Sequence, residues 1–190
     1  MSNQDFKIVF GVLKKYTGTD KNVVIPDGVS VIGKYAFSGC TGLTSVKFGK
    51  GIKKIDQFAF SGCTGLKEVT IESGKIGKWA FHECTGLKTV KIGKGVKEIC
   101  AFAFQGCKID KAVIGSKNVG CLYAGINTLV LEKTVAKFDL MNFNYSVVAY
   151  CEAKKKPFGW KWPYAKEYYK TLMREVKQAT IHWGADISKI

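Results

Sequence analysis

The chain predicts an α/β repeat solenoid, a coil of short units with a ladder of parallel strands on one face and short helical or turn segments on the other. Three observations predict it. An Ala-Phe pair recurs at Ala36-Phe37, Ala59-Phe60, Ala80-Phe81 and Ala103-Phe104, at spacings of 23, 21 and 23 residues, within the period range of stacked repeats. Each unit carries an LxxVxI/F string (Leu43-Val46-Phe48, Leu66-Val69-Ile71, Leu87-Val90-Ile92 and a shortened Ile109-Ala112-Ile114) whose last two apolar positions have the period of a half-buried strand. Units this short cannot build sheets of their own, so their strands must pair between units. Last, a glycine turn (Gly49-Lys50-Gly51, Gly93-Lys94-Gly95) leads to apolar residues at helical spacing, Ile52, Ile55 and Phe58, with Val96, Ile99 and Phe102 as equivalents. These form the back of the coil.

In chain order, residues 1–22 read as an N-terminal cap of two short strands around Gly11. A solenoid must shield its first apolar layer, which assigns Phe6, Ile8, Val12, Leu13 and Tyr16 to that cap. The turn at Thr17 to Asn22 leads into Val23-Val24-Ile25, the first ladder strand. Repeats occupy residues 23–151 and are degenerate after 115. Across them, Tyr35, Phe58, Trp79 and Phe102 are expected to stack as one aromatic column, and Phe37, Phe60, Phe81 and Phe104 as a second. The stretch between Ile71 and Ile76 is two residues shorter than that between Phe48 and Ile55, which places the deletion in a loop and keeps the columns in register. The irregular stretch from Gly115 to Gly125 is anchored by Cys121 and Tyr123. Ile126-Leu129-Leu131 then restores the strand spacing, with Phe138 to Phe143 behind it and Val147 to Cys151 as the last strand of the repeats. Residues 152–190 are a C-terminal cap. It opens on the charged turn Lys154-Lys155-Lys156-Pro157. A helix over about 164–178 follows, with Pro163 in its first turn and Tyr164, Tyr168, Leu172 and Val176 as one apolar stripe. The whole of 1–190 reads as a single domain.

Cys40, Cys63, Cys84 and Cys107 recur at the same point of each unit and read as a buried ladder of free thiols, small hydrophobes with weak donors. A zinc site would need CxxC pairs or suitably spaced histidines, and neither accompanies them.

At Ile25 to Leu43 the string IPDGVSVIGKYAFSGCTGL resembles the unit of the BspA-like leucine-rich repeat family, roughly I-P-x-x-V-x-x-I-G-x-x-A-F-x-x-C-x-x-L. The resemblance runs through about Ile114 and returns at YCEAKKKPFGW, Tyr150 to Trp160. It implies that the strand ladder lines a concave face and that the cysteines face inward. It also implies a closing strand, which Ile181-His182-Trp183-Gly184 fits; the helix over 164–178 departs from the family pattern. Members of the family are often secreted or attached to the cell surface.

The charge balance is strongly basic, 30 Lys and Arg against 15 Asp and Glu, and Arg174 is the only arginine. Lysine supplies point charge without the planar fork that reads base edges, so base-specific recognition is disfavoured. The lysine excess has two readings, a biased genome composition and a selected basic surface. Catalysis has little to stand on. His82 and His182 are the only histidines and read as ordinary surface or edge residues, and no Ser-His-Asp order, HExxH, phosphate loop or EF-hand string is present. No cofactor is expected. The N-terminal stretch lacks an apolar run long enough for a signal peptide or membrane span. With seven cysteines, an odd number of which four are arranged as a ladder, this points to a cytoplasmic protein, or a secreted or surface one if a leader has been removed.

These observations predict a non-enzymatic protein-interaction module, with the monomer slightly favoured over an assembly. Its partner-binding residues are the outward positions of the ladder, Ser45, Lys47, Glu68, Thr70, Thr89, Lys91 and Lys111, continued by Val113, Thr128 and Val130. Beside them runs an edge of Lys50, Lys53, Lys54, Lys75, Lys78, Lys94 and Lys97, diluted by Asp56, Glu72 and Glu98. One alternative is a small basic protein that binds nucleic acid, or a nucleic-acid-handling complex, through weak non-specific polyanion contacts, such as an inhibitor of phage or mobile-element origin. Another is a fragment of a cell-surface adhesin.

Overall fold

A computed structural model describes residues 5–120, 124–132, 135, 137–138, 147–151, 179–183, 185–186 and 189–190. The strands are β1 (Phe6–Val9), β2 (Val12–Tyr16), β3 (Asn22–Val24), β4 (Val31–Ile32), β5 (Ser45–Lys47), β6 (Lys54–Ile55), β7 (Glu68–Ile76), β8 (Thr89–Ile99), β9 (Lys108–Ile114), β10 (Asn118–Val119), β11 (Gly125–Leu131), β12 (Lys137–Phe138), β13 (Val147–Cys151) and β14 (Ala179–Trp183). They make two parallel ladders. A front ladder runs β3-β5-β7-β8-β9-β11-β13-β14, and a back ladder runs β2-β4-β6-β7-β8-β10-β12. Among the described strands only β1 is antiparallel, in a hairpin with β2.

The back of the coil is therefore strand and turn, where apolar residues at helical spacing predicted short helices. The reason lies in where the amide hydrogens go. Asp56, Gly77, Cys100 and Gly120 donate to the carbonyls of Ile32, Ile55, Ile76 and Ile99, each one coil back. The turns behave alike in the opposite direction, with Phe37, Phe60 and Phe81 donating to Ala59, Ala80 and Ala103. Donors committed to the neighbouring coil cannot close helical rings. No α-helix occurs among the described residues; the expected one at about 164–178 lies outside them, as do Cys121, Tyr123 and Phe143.

The two-residue deletion also resolves differently. β7 runs unbroken from Glu68 to Ile76, joining both ladders in one strand, and two register shifts against β8, between Ile71 and Ser73 and between Gly74 and Lys75, take up the difference. Gly74, at φ 95°, faces the backbone of Ile52 and Lys53 so closely that a Cβ would lie 2.8 Å from both. Only glycine fits that crossing.

Both aromatic columns form. The inner one stacks Phe37, Phe60, Phe81 and Phe104 at centroid separations of 4.7, 5.1 and 5.1 Å. Tyr16 continues it at 5.0 Å from Phe37, and Phe6 closes it at 5.1 Å from Tyr16, so the hairpin caps the column with its own rings. Leu13 is fully buried as expected, but Ile8 is 37% exposed, since β1 is the outer strand and nothing described lies beyond it. The outer column stacks Tyr35, Phe58, Trp79 and Phe102 at 5.2, 5.3 and 5.6 Å. All four hold a left-handed backbone, φ 58°, 56°, 55° and 62°. That conformation costs roughly 1–2 kcal/mol per residue, offset by about 0.5–1.5 kcal/mol per stacked pair together with the area the rings bury.

Between the columns and the front strands the thiols of Cys63, Cys84 and Cys107 donate to the carbonyls of Phe37, Phe60 and Phe81 at 3.1, 3.0 and 3.1 Å. Each is a free, buried thiol. Cys40 is free but only half-buried.

Candidate interaction face

Alternation along the front strands sends Val46, Val69, Val90 and Ala112 into the core and their neighbours outward. Register then arranges the outward side chains in rows across the strands. One row runs Asn22, Ser45, Glu68, Thr89, Lys111 and Thr128; in another, Val24 faces Lys47, and Thr70 faces Lys91 and then Val113 and Val130. Adjacent members of a row lie about 4.8 Å apart, the strand spacing. The structure thus places all seven expected ladder residues on one face. Their environments differ along it. Lys47, Glu68, Thr70, Thr89 and Lys91 are exposed, and an open depression of about 410 Å³ lies between Ser45, Lys47, Phe48, Glu68, Thr70 and Glu72. Ser45 donates to Asn22 Oδ1 at 2.7 Å, fixing the start of its row.

Further along, the face is covered. Lys111, Val113 and Thr128 are half-buried. Val130 is 2% exposed although it points away from the core and is no part of the core cluster. Lys111 Nζ donates to the main-chain oxygen of Ile190.

The seven edge lysines do not form one line. Lys50 stands in the turn after β5 and Lys94 in the middle of β8, Lys53, Lys54, Lys75 and Lys97 on or beside the back ladder, and Lys78 next to Trp79 of the outer column. Lys54 and Lys75 are register partners on adjacent back strands, and each is paired with a carboxylate, Lys54 with Asp56 at 3.1 Å and Lys75 with Glu98 at 2.6 Å. The hydrogen bond within the second pair holds the Lys75 ammonium above its ordinary pKa and the Glu98 carboxyl below its own. Lys50, Lys53, Lys78, Lys94 and Lys97 are exposed, with no carboxylate within ion-pair distance among the described residues.

Sequence reasoning overlooked a second basic row. Lys67 and Lys88 enter the front ladder in adjacent coils, where the Lys88 amide donates to the Lys67 carbonyl, and Lys88 faces Asp110 at 3.7 Å. The available signal was a lysine directly after the repeat leucine in Leu66-Lys67 and Leu87-Lys88. Among the described residues no group of three or more His, Cys, Asp or Glu side chains could share a metal ion, and no helix is long and apolar enough to cross a membrane.

Stacked coils of 21 to 23 residues, an inner phenylalanine column, inward cysteines and a strand ladder define a leucine-rich repeat protein. The BspA type leucine rich repeat region matches residues 15–123 in six copies, and the chain belongs to that family. It is similar in structure to a T. pallidum leucine-rich repeat protein, with 20% identity and a TM-score of 0.61 over 77% of this chain and 75% of that one. It is likewise similar to a leucine-rich repeat protein from Bacteroides ovatus, with 17% identity and a TM-score of 0.59 over 90% of this chain and 46% of that one. At these identities the likeness is one of fold. No curated protein matches the chain in sequence.

Proposed function

We propose that the chain is a non-enzymatic protein-interaction module whose binding surface is the open part of the front ladder with its neighbouring lysines. Leucine-rich repeat solenoids in general serve protein interaction, since stacking gives a long surface without requiring a pocket. The observation that carries the reading is the exposed set Lys47, Glu68, Thr70, Thr89 and Lys91, held in register by strands bonded on both sides yet contributing nothing to the core. Affinity capture from the native host tests it. A protein captured by the wild type should be lost with the double variant Lys47→Glu/Lys91→Glu and retained with Lys78→Glu, all three baits melting at the same temperature. Equal capture by the double variant removes this face from the reading.

A second reading rests on the exposed, unneutralised Lys50, Lys53, Lys94 and Lys97: weak, sequence-indifferent association with a polyanion such as nucleic acid. Each phosphate contact would contribute about −0.7 to −0.9 to the log–log slope of affinity against salt. Replacing Lys50, Lys53, Lys94 and Lys97 by Gln should flatten that slope while leaving the fold intact. A slope that stays the same in the variant places the contacts elsewhere. A reducing, cytoplasmic setting is part of the proposal and is supported by the free thiols of Cys40, Cys63, Cys84, Cys100 and Cys107.

A further inference from the structure

We propose, resting on the polyanion reading and deepening it, that Tyr35 is a stacking platform for an unpaired base of single-stranded nucleic acid, with Lys34 and the hairpin lysines Lys14 and Lys15 meeting its phosphates. The two aromatic columns end differently. The inner one is continued past Phe37 by Tyr16 and closed by Phe6, whereas the outer one stops at Tyr35. The hairpin supplies the cause. Leu13 pairs with Ile32 and Tyr16 stacks on Phe37, so two residues, Lys14 and Lys15, cover the distance that Gly33, Lys34, Tyr35 and Ala36 take in the first coil. The hairpin thus cuts the corner that carries the outer column, and among the described residues no ring stands below Tyr35. One face of that ring packs on Phe58, with centroids 5.2 Å apart and planes within 5°. Over the ring lies the Lys34 ammonium, 5.1 Å from its centre. Tyr35 is still 45% exposed, while Phe58, Trp79 and Phe102 are half-buried. Its left-handed backbone and the Phe58 stack fix the direction of the ring, so the platform is preformed.

An open aromatic face accepts many rings, and the surrounding charge selects among them. Lys14, Lys15 and Lys34 are exposed, with no carboxylate within ion-pair distance among the described residues. An aromatic side chain of a protein partner brings a ring without an anion. A nucleotide brings both, a flat base for Tyr35 and a phosphate for the lysines. Bases inside a duplex keep their faces stacked on one another, so the site suits unpaired nucleotides. Lys34 need move only its flexible stem to admit the base, since an exposed cation–ring contact is weak.

The probes are a fluorescein-labelled oligothymidylate and an abasic oligomer of equal length, which carries the same charge without bases, each titrated at low salt against the full chain. The oligothymidylate should bind at least fivefold more tightly. Tyr35→Asn removes the ring and tolerates the left-handed backbone, and it should abolish that preference, whereas Tyr35→Phe should keep it. Equal binding of the two oligomers to the wild type, or a preference that survives in folded Tyr35→Asn, overturns the proposal. Cross-linking covers the case in which the Asn variant fails to fold. Ultraviolet light should join a bromodeoxyuridine oligonucleotide to the wild type at the peptide containing Tyr35, and a cross-link confined to other peptides overturns the proposal. If both oligomers bind alike and replacing Lys50, Lys53, Lys94 and Lys97 by Gln weakens both, the polyanion reading stands and only the platform falls. If neither binds, both fall; a captured protein then lost on Tyr35→Asn would assign the ring to a protein partner.

Discussion

Phe60 sits in the middle of the inner column, between Phe37 at 4.7 Å and Phe81 at 5.1 Å, and is fully buried. Truncation would leave a gap that two rigid neighbours cannot close. Phe60→Ala should cost about 3–5 kcal/mol in urea unfolding. The thiols beside the column make a different prediction. The adjacent Cys84 thiol and burial push the Cys63 pKa up, and Cys107 and burial do the same for Cys84. A raised pKa means that the folded state keeps a proton the unfolded state gives up. The stability is therefore fully present below the unfolded thiol value of 9.0 and is lost as pH rises above it. The urea midpoint should hold steady up to that value and then fall, by at most about 1.4 kcal/mol per thiol per pH unit. Cys63→Ala/Cys84→Ala should flatten the decline. An undiminished decline in that variant would locate the titrating groups elsewhere.

At the scale of the coil, three glycines in the same motif separate local from inter-coil effects. A Cβ on Gly65 would collide with the Thr41 carbonyl, and one on Gly86 with that of Thr64, whereas Gly42 has nothing within 4 Å because no full coil lies beneath it. Gly65→Ala and Gly86→Ala should each cost about 1–3 kcal/mol, and Gly42→Ala no more than about 0.5 kcal/mol, in equilibrium unfolding. Equal costs at all three would mean that glycine serves chain flexibility there and not clearance. This dependence on the coil below also sets what the sequence could disclose. Front strands and both aromatic columns were legible because each repeats a spacing that one unit displays by itself. The back strands were not. Val31–Ile32 and Lys54–Ile55 are two residues long, too short to show a strand period, and Ile52, Ile55 and Phe58 fit a helical spacing equally well. Tyr16 lacks the Ala-Phe signature of the column it joins, and Lys111 meets Ile190 across 79 residues with no pattern linking them. Of the candidate face, the row positions could be read from alternation, but its division into open and covered parts depends on chain that returns from the far end.

For the whole molecule, a formal net charge of +15 on a narrow stack makes self-repulsion a standing destabilising force. Lys54 and Lys75 are stacked like charges that Asp56 and Glu98 offset only in part, since all four side chains remain substantially exposed. Raising sodium chloride from low to physiological concentration should therefore raise the melting temperature. A fall on adding salt would show that the ion pairs outweigh the repulsion. Lattice regularity has a consequence of another kind. Phe37 meets Phe60 through the same ring stack and backbone bond by which Phe60 meets Phe81, so a copied coil inserted between them would find its contacts already matched on both sides. Recombination between the stretches that encode the shared string AFSGCTGL, at 36–43 and 59–66, would then change the array by a whole coil with little folding penalty. Slips of other lengths must be taken up within a strand crossing, as the two missing residues are by the register shifts of β7 around Gly74, so selection would pass copy-number variants of this array more readily than the rest.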